Sequence, residues 1–427
     1  MKSIYLSFLL IVLQVHSYHH PRHHRSPDGN KITSEDQQPS LDEEQGNKFP
    51  YYQKIALNNA NFAFELYRLI ASHTTDKNIF FSPLSISTAF GMLTLGARSE
   101  TQNQIFKGLA FNLSEIEENE IHKGFHQLIH ELSHSSNKAQ VHIGNALFIE
   151  ETLKILPKFL EDVKSLYEAE GFSSNFADLA SAKHQINEYV RNKTQGKITQ
   201  AVEDLDPHTV LIVINYIYFK AFWENPFDAD LTREEDFFPD ANTTVKVNMM
   251  YRQGYYNMLY DKDLSCYVVE VPYKGNASAL FILPDEGKMQ QVEGALSIEI
   301  LAKWKTSFTL REIHLLIPKV LFSASYDVKE LLQKLGIIEV FTDNADLSGI
   351  TGQPNLKVSK ALHKVVVDIH ESGTEAAAVT VIDITPRSNP HTTIKYNRPS
   401  LLLIVNKATQ TILFAGKIFN PTKQWLF

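Results

Sequence analysis

The chain has 427 residues, 43% of them hydrophobic, and a net charge of −8 from 41 Lys and Arg against 49 Asp and Glu. That length supplies a large core and by itself is compatible with two or three domains. The acidic balance, with basic residues scattered along the chain, excludes a global nucleic-acid surface, and a single cysteine excludes an internal disulfide.

The opening stretch, "MKSIYLSFLLIVLQVHS", sets one lysine ahead of an apolar run from Ile4 to Val15. It reads as a secretory signal peptide, residues 1–17, cleaved after Ser17 and too short to span a bilayer. No later stretch is apolar for long enough to cross a membrane. Residues 18–50 are polar, contain Pro and Gly, and have almost no core formers, which predicts a disordered N-terminal arm. Within it "HHPRHH" is a weak metal-binding pattern, for which a solvated tail is the plainer reading. Four N-x-S/T sequons, at Asn112, Asn192, Asn242 and Asn276, agree with a secreted glycoprotein. A secreted chain without a disulfide must be held by its core, and Cys266 reads as a small, half-buried residue.

From Tyr52 to Thr422 there is neither a linker nor an internal repeat. "NNANFAFELYRLIA" carries Phe62, Leu66 and Ile70 on one helical face. "SPLSISTAFGMLTLGA" opens with a Ser82–Pro83 helix start and is apolar all round, as a buried helix is. "HELSH", His130 to His134, matches the zinc-protease pattern in which two imidazoles four apart hold the metal and Glu131 activates water. The helical pattern ends at once in "SSNKAQ" and no third ligand follows, so a solvated helix end is the preferred reading and no metal site is expected. "LPKFLEDVKSLYEAEG" is an amphipathic helix predicted to stop at Gly171. "TVLIVINYIYFKAFW", Thr209 to Trp223, is apolar on both parities, which describes a central strand covered on both faces. "CYVVEVPYKGNASALFILP" reads as a hairpin about Lys274–Asn276, and "RPSLLLIVNKATQTILFAGKI" as a second strand pair. Helices lead and strands follow, so the class is α+β.

The stretch "ESGTEAAAVTVIDITPRSNP", residues 371–390, has two readings. As a strand from Thr374 to Thr385 it puts Thr374, Ala376, Ala378, Thr380, Ile382 and Ile384 on an uncharged face, with Glu375, Ala377, Val379, Val381, Asp383 and Thr385 opposite. A slip by one residue would bury two carboxylates at several kcal/mol each. Yet "TEAAA" also suits a helical turn, so the segment can lie outside a sheet in one state and inside it in another. Pro386 ends any central strand near Thr385. Arg387–Ser388 then lies between prolines, in a form that trypsin-type proteases, with a carboxylate at the base of their pocket, accept as bait.

Here the chain resembles the serpins, the serine-protease inhibitors, and among them the secreted antitrypsin-like group. The matching stretches, in order, are "NIFFSPLSISTAF", "NYIYFKAFW", "LPDEG", "ADLSGIT", "LKVSKALHKVVVDIHESGTEAAA" and "LFAGKIFNP". The resemblance implies one α+β domain over residues 51–427, with about nine helices, three β-sheets and an exposed reactive-centre loop. It further implies a hinge at Glu371, Gly373, Thr374, Glu375, Ala376, Ala377 and Ala378, and a scissile bond at Arg387–Ser388 with Pro386 and Thr385 as subsite residues. A polar cluster at Ser82, Ser85, Asn215 and His363 is implied where the sheet parts, and Trp223, Lys319 and Glu371 where the loop enters, with a Glu371–Lys319 ion pair.

The implied activity is suicide inhibition of a trypsin-like serine protease by a secreted, monomeric, cofactor-free protein that is not itself an enzyme. Three features depart from that pattern. Ser400 follows the proline of "YNRPS" where the family places phenylalanine, Val379 is bulky for its hinge position, and "GTEAAAV" also resembles the thyroxine-binding carrier of the group. A small hormone is therefore the alternative partner. Heparin is a weaker one, for which Lys303, Lys305 and Arg311 are the candidates and a solvated surface is the plainer reading.

Overall fold

Ten α-helices and fourteen strands occur among the described residues, 50–134, 140–354, 356–374 and 392–423 of a computed structural model. The helices are α1 Tyr51–His73, α2 Pro83–Leu93, α3 Ser99–Gly108, α4 Glu118–His134, α5 Pro157–Tyr167, α6 Leu179–Lys193, α7 Met289–Ala295, α8 Ile298–Ser307, α9 Lys329–Lys334 and α10 Ser348–Thr351. The strands are β1 Ile79–Phe81, β2 Gln140–Glu150, β3 Glu170–Ser174, β4 Leu211–Lys220, β5 Arg233–Asp240, β6 Thr243–Asp261, β7 Cys266–Pro272, β8 Ala277–Pro284, β9 Thr309–Pro318, β10 Val320–Asp327, β11 Lys360–Ile369, β12 Thr392–Lys395, β13 Ser400–Asn406 and β14 Ile412–Ile418. Residues 1–49, with the expected signal peptide and most of the arm, lie outside the described residues.

Two sheets are built from these strands. One has five strands in the order β10-β11-β4-β2-β3. The other has nine, ordered β1-β14-β13-β8-β7-β6-β9-β12 with β5 on β6. The three sheets implied by the resemblance appear as two hydrogen-bonded networks because β6, 19 residues long, pairs with β5 and β9 along one part and with β7 along the other.

Strand β4 shows why the central sheet holds its place. Leu211, Val213, Ile217 and Phe219 enter the main core, while Ile212, Ile214 and Tyr216 enter a second cluster with Ala182, Ile186 and Val190 of α6. Apolar residues on both parities are thus consumed on both faces. Gly144 of β2 lies opposite Tyr216, and a Cβ there would stand 1.9 Å from the ring, so the missing side chain is what admits the tyrosine. Beneath the sheet, α2 packs against β4, β2 and β14. Ser82 caps it by accepting a hydrogen bond from the Ser85 amide, with Pro83 in the first turn.

Helix α5 differs from its expected extent. It stops at Tyr167 rather than Gly171, because Glu168 takes the left-handed conformation at φ 50°, and Gly171 then lies inside β3. A glutamate in that role leaves no glycine signature to read. Cys266 is fully buried rather than half-buried, and burial pushes its thiol up to about 12, leaving it unreactive.

Candidate functional site

In the five-stranded sheet β11 and β4 are parallel neighbours, paired from Lys360↔Ile212 to Val366↔Tyr218. Below this seam a polar network joins the strands to α2. The Ser82 amide donates to His363 Nε2 at 3.1 Å. That bond fixes the tautomer, so His363 Nδ1 carries the hydrogen and donates to Asn215 Oδ1 at 2.6 Å. Ser85 Oγ donates to the same oxygen at 2.7 Å. Asn215 Nδ2 reaches Asn145 Oδ1 on β2 at 2.7 Å, and Asn145 Nδ2 reaches Thr88 Oγ1 on α2 at 3.2 Å. His363 is fully buried, and burial pushes its pKa down to about 3, which keeps the ring neutral. The chain therefore clamps three strands and a helix with uncharged hydrogen bonds. Beside the network, between α2 and the seam, lies a small cavity lined by Phe90, Val213, Ala361 and Leu362.

Above Val366 and Tyr218 the two strands no longer pair with each other. The chain leaves β11 and reverses between His370 and Gly373, whose amides and carbonyls exchange hydrogen bonds at 2.9 and 3.1 Å. Gly373 forms antiparallel bridges to Phe222, just past β4, and to His370, just past β11. Gly373 therefore pairs on both sides, between the ends of β4 and β11. Its φ is 144°, and a Cβ would fall 2.1 Å from the Ala221 carbonyl oxygen. The next residue, Thr374, is 1% exposed; its amide donates to Ala221 and its hydroxyl to Tyr273 Oη at 3.0 Å. Tyr273 in turn stacks on Trp223 at 4.1 Å.

Glu371 ties the turn to its surroundings. Lys319 Nζ lies 2.9 Å from one of its carboxylate oxygens and Thr232 Oγ1 donates to the other at 2.8 Å. Burial pushes the Glu371 pKa up, but the Lys319 and Thr232 hydrogen bonds outweigh it, and the net shift is downward. Trp223 donates its amide to the Ser372 carbonyl and its indole Nε1 to the His370 carbonyl, both at 2.9 Å.

The structure thus brings Ser82, Ser85, Asn215 and His363 together in one cluster and Trp223, Lys319, Glu371, Gly373 and Thr374 in another. Glu375, Ala376, Ala377, Ala378, Thr385, Pro386, Arg387 and Ser388 lie outside the described residues. Sequence reasoning missed Asn145, Thr88, Thr232 and Tyr273. Asn112, Asn192 and Asn242 are exposed and Asn276 is half-buried. The three cations weighed for heparin are not three free charges. Lys303 is paired with Asp261 at 3.2 Å and Asp263 at 2.7 Å, and Arg311 donates to Thr309. No helix among the described residues is long and apolar enough to cross a membrane.

Comparison with known proteins places these clusters in context. A family profile described as "Serpin (serine protease inhibitor)" matches residues 57–421. The chain is 49% identical over 375 residues to alpha-1-antiproteinase 2 of Equus caballus, covering 88% of this chain and 89% of the relative. Among solved structures it is similar to human thyroxine-binding globulin complexed with thyroxine, at TM-score 0.84 and 45% identity over 87% of this chain and all of that one. It is also similar to human glycosylated kallistatin, at TM-score 0.83 and 44% identity over 87% of this chain and 99% of that one.

Proposed function

Because the chain belongs to the serpin family, we propose that it is a secreted inhibitor that traps trypsin-like serine proteases and is consumed as a pseudo-substrate. The observation that carries this reading is Gly373, bridged antiparallel to the ends of both β4 and β11. In this reading Gly373 marks where a further central strand begins, and β4–β11 pairing and the neutral network around His363 close the seam below it.

Within this reading, residues 1–17 are the signal peptide, 18–50 the arm and 51–427 the inhibitory domain, with glycans at the sequons. The protease serine attacks the carbonyl carbon of Arg387, the Arg387–Ser388 peptide bond breaks, and the new Ser388 amine leaves with the departing proton. The acyl ester then remains on Arg387. The chain from Thr374 onward follows Gly373 into the seam as a strand of about 12 residues, on the order of 40 Å long. It carries the esterified protease away from its point of attack before water can deacylate it. New ladder hydrogen bonds and buried apolar area drive the step. Small residues at 376–378 suit a strand that must be threaded residue by residue, and the uncharged face beginning at Thr374 suits the core side of the sheet.

Incubation of the purified chain with trypsin tests this. The expected product is an SDS-stable complex of protease and chain linked through Arg387. The second reading, a hormone carrier, is favoured by the likeness to thyroxine-binding globulin. It predicts clean cleavage without a complex, together with saturable thyroxine binding.

A further inference from the structure

Tyr273 follows β7 at the turn into β8, in the nine-stranded sheet, yet its side chain reaches the opening of the five-stranded one. Its backbone bridges Trp223, just past β4, and its amide donates to the Ala277 carbonyl at 3.0 Å, which closes the turn. The ring is clamped on two sides. Trp223 stacks on it at 4.1 Å with 13° between the planes, and Phe219 of β4 meets it edge-on at 5.1 Å. The phenol hydroxyl therefore has a set direction. Tyr273 is fully buried, and the one side-chain hydrogen bond its hydroxyl makes among the described residues is to Thr374 Oγ1, at 3.0 Å. A buried phenol without a partner is costly, and so is a buried threonine hydroxyl. Thr374 is 1% exposed, so each of the two hydroxyls is sheltered from water with the other as its match.

We propose that Tyr273 is a positioning residue for loop insertion: it selects a hydroxyl-bearing side chain at 374 and seats it between the ends of β4 and β11 before the loop is cut. This role rests on the inhibitory reading above. With Thr374 seated, insertion after cleavage continues from residue 375. With Thr374 withdrawn, the chain must first re-enter the opening, which lengthens the time in which water can deacylate the protease. Tyr273 thereby acts on the division between trapped complex and released protease. The selection is chemical as well as steric. Serine at 374 keeps the bond, whereas valine keeps the shape of threonine and loses it.

Hydrogen exchange on the intact chain and titration against trypsin test the role together. Tyr273→Phe keeps the ring and its stacking and deletes only the hydroxyl, which strands the hydroxyl of Thr374. The Thr374 amide should then exchange about tenfold faster, and more chain should be consumed per trypsin inhibited. Adding Thr374→Val removes the stranded hydroxyl too. That double variant should return both readouts toward the parent values, because two matched apolar groups replace two matched polar ones. A tyrosine that only packed against Trp223 and Phe219 would show no such rescue from position 374. Unchanged exchange in Tyr273→Phe, or a double variant no better than Tyr273→Phe alone, would overturn the assignment. Should the parent chain form no SDS-stable complex with trypsin, the inhibitory reading falls, and the exchange results still decide whether Tyr273 seats Thr374.

Discussion

The lower and upper parts of the β4–β11 seam solve opposite problems. Below, from Lys360 to Val366, the strands bond to each other and the side chains beneath form a neutral network centred on a histidine held at about 3. Above, the strands have let go of each other. The chain itself has stepped between them at Gly373, held by an ion pair, a left-handed glycine and a threonine–tyrosine hydrogen bond. The lower part is built to stay shut without charge, and the upper part to be already open by one residue.

The largest effect should come from placing a charge where the upper part begins. Thr374→Arg puts an unpaired cation at a position that is already 1% exposed, at a cost of several kcal/mol that the chain relieves by withdrawing this residue from between the strands. Trypsin should then cleave the variant with little SDS-stable complex, and the molar ratio of chain consumed per protease inhibited should rise steeply. Gly373→Ala should come next. Its methyl group would stand against the Ala221 carbonyl at a positive φ, so the bridge should be expelled and the Thr374 amide should lose its exchange protection.

Acid separates the two parts of the seam. His363 has its folded pKa lowered to about 3, so the unfolded or opened state takes up its proton first, near 6.5. The stability it contributes is complete above about pH 6.5 and drains at about 1.4 kcal/mol per pH unit as the pH falls toward the folded value. Glu371, also lowered, keeps its contribution above the ordinary glutamate range and loses it only as the pH falls below about 4.5. The denaturation midpoint should therefore decline between pH 6.5 and 5, chiefly on account of the lower network, with a smaller part from His142, whose pKa burial also lowers. His363→Gln should flatten that limb and leave the decline below 4.5 in place.

Lys319→Ala should have a smaller effect. The Lys319 side chain is 38% exposed, so salt screens the pair and the loss should be about 1 kcal/mol or less, seen as a modest drop in the denaturation midpoint that shrinks further in high salt. Smallest of all should be Ser400→Ala. Ser400 is fully buried, and its hydroxyl has no partner among the described residues. Removing it should leave the stability level or raise it by up to about 1 kcal/mol, seen as an unchanged or slightly higher midpoint, without altering complex formation.

The scaffold was largely legible because its signals are collective. The apolar parities of β4, the Ser82–Pro83 start of α2 and the hairpin about Lys274–Asn276 each spread over many residues, and each stands where it was expected. The Glu371–Lys319 contact, implied by resemblance, is present at 2.9 Å. What escaped was carried by single residues. Asn145 and Thr88 are lone polar groups inside apolar runs, and nothing local says that they meet across a helix and two strands. Tyr273 sits at the end of a hairpin and looks like surface punctuation until Thr374 reaches it. The α5 terminus was misplaced because a glutamate took a backbone conformation that sequence assigns to glycine.

The central claim is that the folded chain stores free energy which insertion at the seam releases. Its most direct test is a thermal melt before and after a protease has cut the chain once between Ala378 and Ser388. The account predicts a much higher melting temperature for the cut chain, because the freed segment completes the central sheet. A cut chain that melts at the same temperature as the intact one, or lower, would contradict it.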